Sequence, residues 1–408
     1  MIQMTCRFRI FTLVFFSLLL SISLSARTSS TSAKTTKKDA KVTESTRAKK
    51  RMAALRHRRA TAKLASTKPT TAKLSTTKKT ARLRRHRYYE RFTASSFADD
   101  ITDGDNTTGE DPIVRQAAVD ALGNMNGTVV AIDPTDGRIL AAVNQKLAYS
   151  EGAQPCSTIK VAVALAALSE KVITRETEVK LGRRSQMNLT EALAHSNNAY
   201  FEAVGRRLGF TKVSYYAHRF GLGELAGYNI EGEHLGVFPT HELAARLGGV
   251  GKMCSFGESI SMTPLQLGAL VSAVANGGTL YYLQHPASPE EVVNFQPRIK
   301  RQLDIGPLVP EIAEGMTGAV QYGTARSLRL NFSEEQVLGK TGTCSKDGTR
   351  FGWFASYANT QYGHIVTVVF LQGGRPTYGP KAAEISGKFY RNLYDHNFFA
   401  QPAATASR

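Results

Sequence analysis

Acidic residues are almost missing from one long stretch of this chain. Residues 27–92 hold 22 of the 52 lysines and arginines and only three acids, Asp39, Glu44 and Glu90, for a net +19. Residues 93–408 carry 28 basic and 30 acidic side chains, for a net −2. The formal charge of +19 therefore belongs to a segment, and the globular part is not a basic protein. Large apolar side chains are also scarce in that segment, which contains a near-repeat, TAKLASTKPT at 61–70 and TAKLSTTKKT at 71–80. Such a composition cannot bury enough apolar area to offset the entropy of ordering. It predicts a disordered, self-repelling spacer over 27–95. Two readings of residues 27–92 stand: a solvated linker, or a tether to polyanions or an anionic membrane surface.

Long hydrophobic runs are also lacking. The apolar stretch from Ile10 to Leu24 is short and is broken by Ser17, Ser21 and Ser23. It follows Arg7 and Arg9 and ends on the small residues Ser25 and Ala26. This pattern predicts an export signal or short membrane anchor over 1–26. More basic residues follow the run than precede it, opposite to the positive-inside bias. Extracytoplasmic placement therefore rests on the chemistry described below.

The nine histidines show no metal-ligand spacing, so no metal is expected. Leu247-Gly248-Gly249-Val250-Gly251-Lys252 lacks the first glycine of a phosphate loop, and Met253 stands where Ser or Thr is needed. No nucleotide or other cofactor is expected.

What remains, residues 96–408, is long enough for a large core. Pro112 opens a predicted helix to Leu122. Residues 127–132 and 138–143 flank Asp133-Pro134-Thr135-Asp136-Gly137 and read as a hairpin. Helices are predicted over Ser157–Glu170, about 189–208, Thr263–Asn276 and near 310–322. Strands are predicted over Gln336–Cys344, Phe351–Tyr357 and His364–Leu371, then a closing helix over about 379–394. This order implies an α+β fold, an antiparallel five-stranded sheet flanked by helices with a helical lobe.

Three motifs carry the chemistry. Ser157 and Lys160 lie three apart at a predicted helix start, so they share a face and the amine can reach the hydroxyl. A serine hydroxyl needs a base, and a desolvated lysine near other cations can lose its proton to serve as one. Alone the pattern means little, since Ser75-Thr76-Thr77-Lys78 also fits it. Ser196-Asn197-Asn198 offers a proton-relaying hydroxyl and, at Asn198, an amide that can both donate to and accept from a substrate. In Lys340-Thr341-Gly342-Thr343, Lys340 adds positive field and the two threonines can bind a carboxylate. Gly342 removes a side chain where substrate can lie along the strand. The N–H groups of Ser157 and Thr343 can form an oxyanion hole.

These residues, in this order, resemble the penicillin-binding transpeptidase family and the related serine β-lactamases. The likeness extends to Gly127–Ala141, Phe256-Gly257, Ser261–Leu267, Ala275–Gly278, Gly323-Thr324-Ala325 and Gly352-Trp353-Phe354. It covers about 112–395. It implies that Ser157 is acylated, Lys160 is its base, Ser196 relays the proton and Asn198 binds substrate. Lys340, Thr341 and Thr343 would hold the terminal carboxylate. The implied substrate is the D-alanyl-D-alanine end of peptidoglycan stem peptides, met in the periplasm or at the outer face of the inner membrane. β-Lactams are implied as trapping ligands. A Glu-x-x-Leu-Asn segment, used by class A β-lactamases for hydrolysis, is missing between the second and third motifs. Competing readings are a serine β-lactamase or β-lactam sensor and, in another class, a polyanion-binding or scaffolding wall protein.

Cysteine is rare. Of four, Cys6 lies in the leader, Cys156 precedes Ser157, Cys344 follows Thr343 and Cys254 is left over. A subgroup of class A β-lactamases has a disulfide at the positions matching Cys156 and Cys344, so that bond is predicted here, with two buried thiols as the alternative.

Overall fold

The computed structural model describes residues 91–360 and 363–400. The expected leader over 1–26, most of the expected spacer over 27–95, and its expected polyanion or membrane contact lie outside the described residues. Thr93 already donates its backbone N–H to the Gly348 carbonyl at 3.0 Å, ahead of the expected domain start at 96. Among the described residues, no helix is long and apolar enough to cross a membrane.

Helix α1 (Pro112–Leu122) begins where one carboxylate oxygen of Asp111 accepts from the N–H groups of Ile113 and Val114. Strands β1 (Gly127–Ile132) and β2 (Ile139–Val143) form the predicted hairpin. A helical section follows: α2 (Lys160–Ser169), α3 (Leu189–Ala194), α4 (Asn198–Leu208), α5 (Phe210–Arg219), α6 (Gly249–Phe256), α7 (Pro264–Ala275) and α8 (Val309–Gln321). Strands β3 (Gln336–Lys346), β4 (Thr349–Thr360) and β5 (Gly363–Gly373) then lead into α9 (Gly379–Asp395). The five strands make one antiparallel sheet in the order β2-β1-β5-β4-β3. This is the expected α+β architecture.

The sheet is buried on both faces because its strands alternate between two apolar layers. Val130 and Ile132 of β1 join Leu165 of α2 and Leu267 and Val271 of α7. Val129 and Ala131 join Val114 of α1 and Phe389 and Leu393 of α9. Edge strand β2 is covered. Glu110 accepts from the Ala142 N–H, and Arg115 joins Asp105 at 2.7 Å and Glu110 at 3.3 Å. The side chains of these two acids are buried structural anchors.

One further difference from the sequence reading concerns the lobe. The helix expected over 189–208 is two helices. It breaks at Ser196, whose φ is +55°, and restarts where the Asn197 side chain accepts from the Tyr200 N–H. The segment set aside as a phosphate loop runs into α6, which starts at Gly249.

Glycines bring α8 against α3. A Cβ on Gly315 would lie 2.7 Å from the Leu193 Cβ, and one on Gly323 would lie 2.1 Å from the Ala194 carbonyl oxygen. Cys156 and Cys344 are joined, with Cα atoms 5.6 Å apart and a sequence separation of 188. The bond ties the turn before α2 to β3.

Gly323→Ala is expected to cost about 1–3 kcal/mol, because the new methyl meets backbone that cannot yield. Gly182→Ala has open space around it and is expected to stay within about 0.5 kcal/mol. Urea unfolding measures both, and equal midpoints would refute the close approach. Reduction of the disulfide is expected to remove about 2–4 kcal/mol by freeing a long loop in the unfolded chain. An unchanged unfolding midpoint under reductant, or alkylation of both thiols without it, would contradict this.

Candidate active site

Strand β3 is the sheet's other edge, paired only with β4, so one side of its backbone is open. The turn Cys156–Ile159 packs beside it, and the Trp353 Nε1–H donates to the Gln154 carbonyl at 3.0 Å. Cys156 takes a φ of +52°, uncommon for a residue with a side chain, immediately before Ser157. The predicted residues of all three motifs meet here.

Lys160 Nζ lies 3.0 Å from Ser157 Oγ, 3.1 Å from Ser196 Oγ, 2.7 Å from the Ser196 carbonyl and 2.6 Å from Asn198 Oδ1. Lys340 Nζ donates to Ser196 Oγ at 2.8 Å and to the Thr341 carbonyl at 3.0 Å. Both amines are fully buried. Neither forms an ion pair with a carboxylate among the described residues. Burial, and the charge of Lys340 beside it, push the Lys160 amine down to about 6. Burial pushes Lys340 down to about 7. Loss of water disfavours the charged form of each, and two like charges facing one serine disfavour it further.

These contacts assign protons. A neutral amine has two N–H donors and one lone pair. The Ser196 carbonyl and Asn198 Oδ1 can only accept, so they take both hydrogens of Lys160. Its lone pair is left for the hydroxyls, with Ser157 the nearer. The structure thus differs from the sequence reading at Asn198. Its carbonyl end is occupied by Lys160, and only its NH₂ end remains for a ligand.

Gly342 also differs. A Cβ there would lie 2.9 Å from the Pro155 carbonyl and 3.2 Å from the Thr158 Cγ2. Its missing side chain lets the Ser157 turn dock on β3 rather than making room for a ligand.

Ser157, Ser196, Thr341 and Thr343 open onto a cavity of about 750 Å³. The Thr343 Oγ1 accepts from the Gly379 N–H at 2.8 Å. Thr324 and Arg326, which the sequence reading gave no role, also line the cavity. Only the Gly323-Thr324-Ala325 likeness pointed to that wall. His195 is exposed, 3.2 Å from Glu191, outside the lysine–serine network. No group of three or more potential ligands that could hold a metal occurs among the described residues.

The model of the penicillin binding protein transpeptidase domain matches residues 127–395. Stage V sporulation protein D of Bacillus subtilis is 28% identical over 67% of this chain and 48% of its own length. Peptidoglycan D,D-transpeptidase MrdA of Acinetobacter baumannii is 23% identical over 67% of this chain and 51% of its own. The chain thus spans about half the length of these curated relatives. Among solved structures, Pseudomonas aeruginosa PBP2 superimposes with a TM-score of 0.58 at 22% identity, covering 71% of this chain and 77% of that one. A peptidoglycan glycosyltransferase from Burkholderia ambifaria gives 0.59 at 17% identity, covering 72% and 99%. At those identities the structural likeness speaks for the fold. With the family model matching well over half of its length, this chain belongs to the penicillin-binding protein transpeptidase domain family.

Proposed function

We propose that the protein is a serine D,D-transpeptidase or carboxypeptidase that cleaves the D-alanyl-D-alanine end of peptidoglycan stem peptides through an ester on Ser157. The observation that carries this reading is the 3.0 Å contact between Ser157 Oγ and a buried Lys160 amine whose two hydrogens are already committed. Ser157 Oγ attacks the carbonyl carbon of the penultimate residue while its proton passes to Lys160. The N–H groups of Ser157 and Thr343 receive the oxyanion. Ser196, within reach of both lysines, hands a proton to the leaving amine, the C–N bond breaks and D-alanine departs. An acceptor amine or water then attacks the ester and regenerates the hydroxyl. Lys340, Thr341 and Thr343 bind the terminal carboxylate at the open edge of β3, beside the free NH₂ end of Asn198. β-Lactams enter the same pocket and remain on Ser157. Such a substrate places the enzyme outside the cytoplasm. The name of the Acinetobacter baumannii relative, a peptidoglycan D,D-transpeptidase, favours this reading over a β-lactamase.

Fluorescent penicillin is expected to label the wild-type protein and to leave Ser157→Ala unlabelled. Lys160→Ala is expected to keep its fold and lose labelling by about 100-fold or more, the scale of a general base. Undiminished labelling of either variant would sink the assignment.

The lysines also set a pH profile. Lys160 must be neutral, so acylation is expected to rise as pH passes about 6. Lys340 must be charged to draw a carboxylate, so acylation is expected to fall above about 7. Removing the Lys340 charge relieves repulsion on Lys160 and should raise its pKa, so Lys340→Met is expected to move the acidic limb upward. The second-order acylation rate from pH 5 to 9 measures this. A profile without an acidic limb, or a limb unmoved by Lys340→Met, would contradict the pairing.

A further inference from the structure

Thr324 follows the C-terminal end of α8, on the wall of the cavity facing β3. Its hydroxyl lies 2.6 Å from that of Thr341. Its backbone N–H donates to the Ala194 carbonyl at 3.2 Å, two residues before Ser196. Gly323, which tolerates no Cβ against that carbonyl, holds this end of α8 in place. Thr324 therefore spans from the relay loop to the strand on which a carboxylate is proposed to lie.

Two hydroxyls at this distance share one hydrogen bond, and either can donate it. The direction decides what Thr341 can do. If Thr341 donates to Thr324, its only hydrogen is committed there and it presents a lone pair to an anion. If Thr324 donates, the Thr341 hydrogen is free to point at an anion. A carboxylate can only accept, and the Lys340 charge lies one residue away. Both favour the chain Thr324 O–H to Thr341 O–H to carboxylate, in which each bond polarises the next.

We propose that Thr324 is a positioning residue for anion recognition: its hydroxyl donates to Thr341 and turns the Thr341 hydrogen toward the carboxylate of the acyl donor. The inference rests on the proposed function of this site and adds the Thr324 hydroxyl to those of Ser157, Ser196, Thr341 and Thr343. Thr324 acts through Thr341 and takes no part in proton transfer at Ser157.

The test compares a fluorescent penicillin with its methyl ester, which cannot present a carboxylate, on the full chain. Thr324→Val keeps the shape of the side chain and removes the donor. Thr324→Ala, which adds no bulk, is run beside it, and thermal melting checks both folds. With the acid form, each is expected to lose about tenfold in second-order acylation rate, the scale of a hydrogen bond to a charged group. The loss is expected in the apparent dissociation constant rather than in the acylation rate constant. With the ester, wild type and variants are expected to react alike, and Thr324→Ser is expected to recover the acid-form rate. Because the two threonines act as one unit, Thr324→Val in a Thr341→Val background is expected to cost nothing more. Equal slowing with acid and ester would mean that Thr324 merely supports the relay loop, and would overturn the inference. So would an unchanged acid-form rate, losses that multiply, or no recovery with Ser. If the wild type takes no label on Ser157, the proposed function fails and the inference fails with it. A labelled wild type with indifferent Thr324 variants overturns the inference alone.

Discussion

Lys160 sits in a place where an ammonium group is poorly tolerated. It is fully buried, lies near a second buried amine, and has no carboxylate bonded to it among the described residues. Those facts push it toward the neutral form, and the surrounding acceptors orient what is left. The same facts carry a stability cost. Both lysines titrate lower in the folded protein than in an unfolded chain, where lysine ionises near 10.4. Between roughly pH 6 and 10 the unfolded chain binds more protons, so folding stability falls as pH drops through that window. The fold tolerates this because a large two-layer core on both faces of the sheet lies behind the site.

Much of that fold serves to hold three short segments together. The Ser157 turn meets β3 because Gly342 has no side chain, and the disulfide at Cys156 and Cys344 fastens the same junction. The Ser196 loop meets α8 because Gly315 and Gly323 allow close packing. Edge strand β3 stays open on one side, while the opposite edge, β2, is covered by residues near Asp105 and Glu110. One edge is closed and the other is left accessible, which is how a sheet can present backbone to an extended peptide without inviting general association.

Much of this was legible in the sequence. The hairpin, the three late strands and the closing helix follow from period-2 and period-3.6 patterns. The motifs name the chemical groups, since few other side chains supply a nucleophile, a base and a carboxylate grip in that order. What was not legible depends on contacts across the chain. The break at Ser196 looks like continuous helix locally, because Ala, Leu and Glu flank it. Gly342 reads from sequence as space for a ligand, yet the space belongs to Pro155 and Thr158. Asn198 reads as a ligand-binding amide at both ends, yet one end orients Lys160. Nothing in the local sequence around Asp105 and Glu110 signals burial, and only their partners Arg115, Ala142 and Asn144 explain it. Thr324 had only the Gly323-Thr324-Ala325 likeness to mark it, because a hydroxyl pair 17 residues apart is invisible to local pattern.

The proposed chemistry depends on the protonation state of one amine, and that state can be observed without any reaction. Selective isotope labelling of the lysine side chains, with Lys160 assigned by Lys160→Arg, allows its Cε chemical shift to be followed by NMR as pH is varied. A titration midpoint near 6 is the predicted result. A Lys160 signal that stays in its charged position up to about pH 10, the range of an ordinary lysine, would contradict the account at its centre.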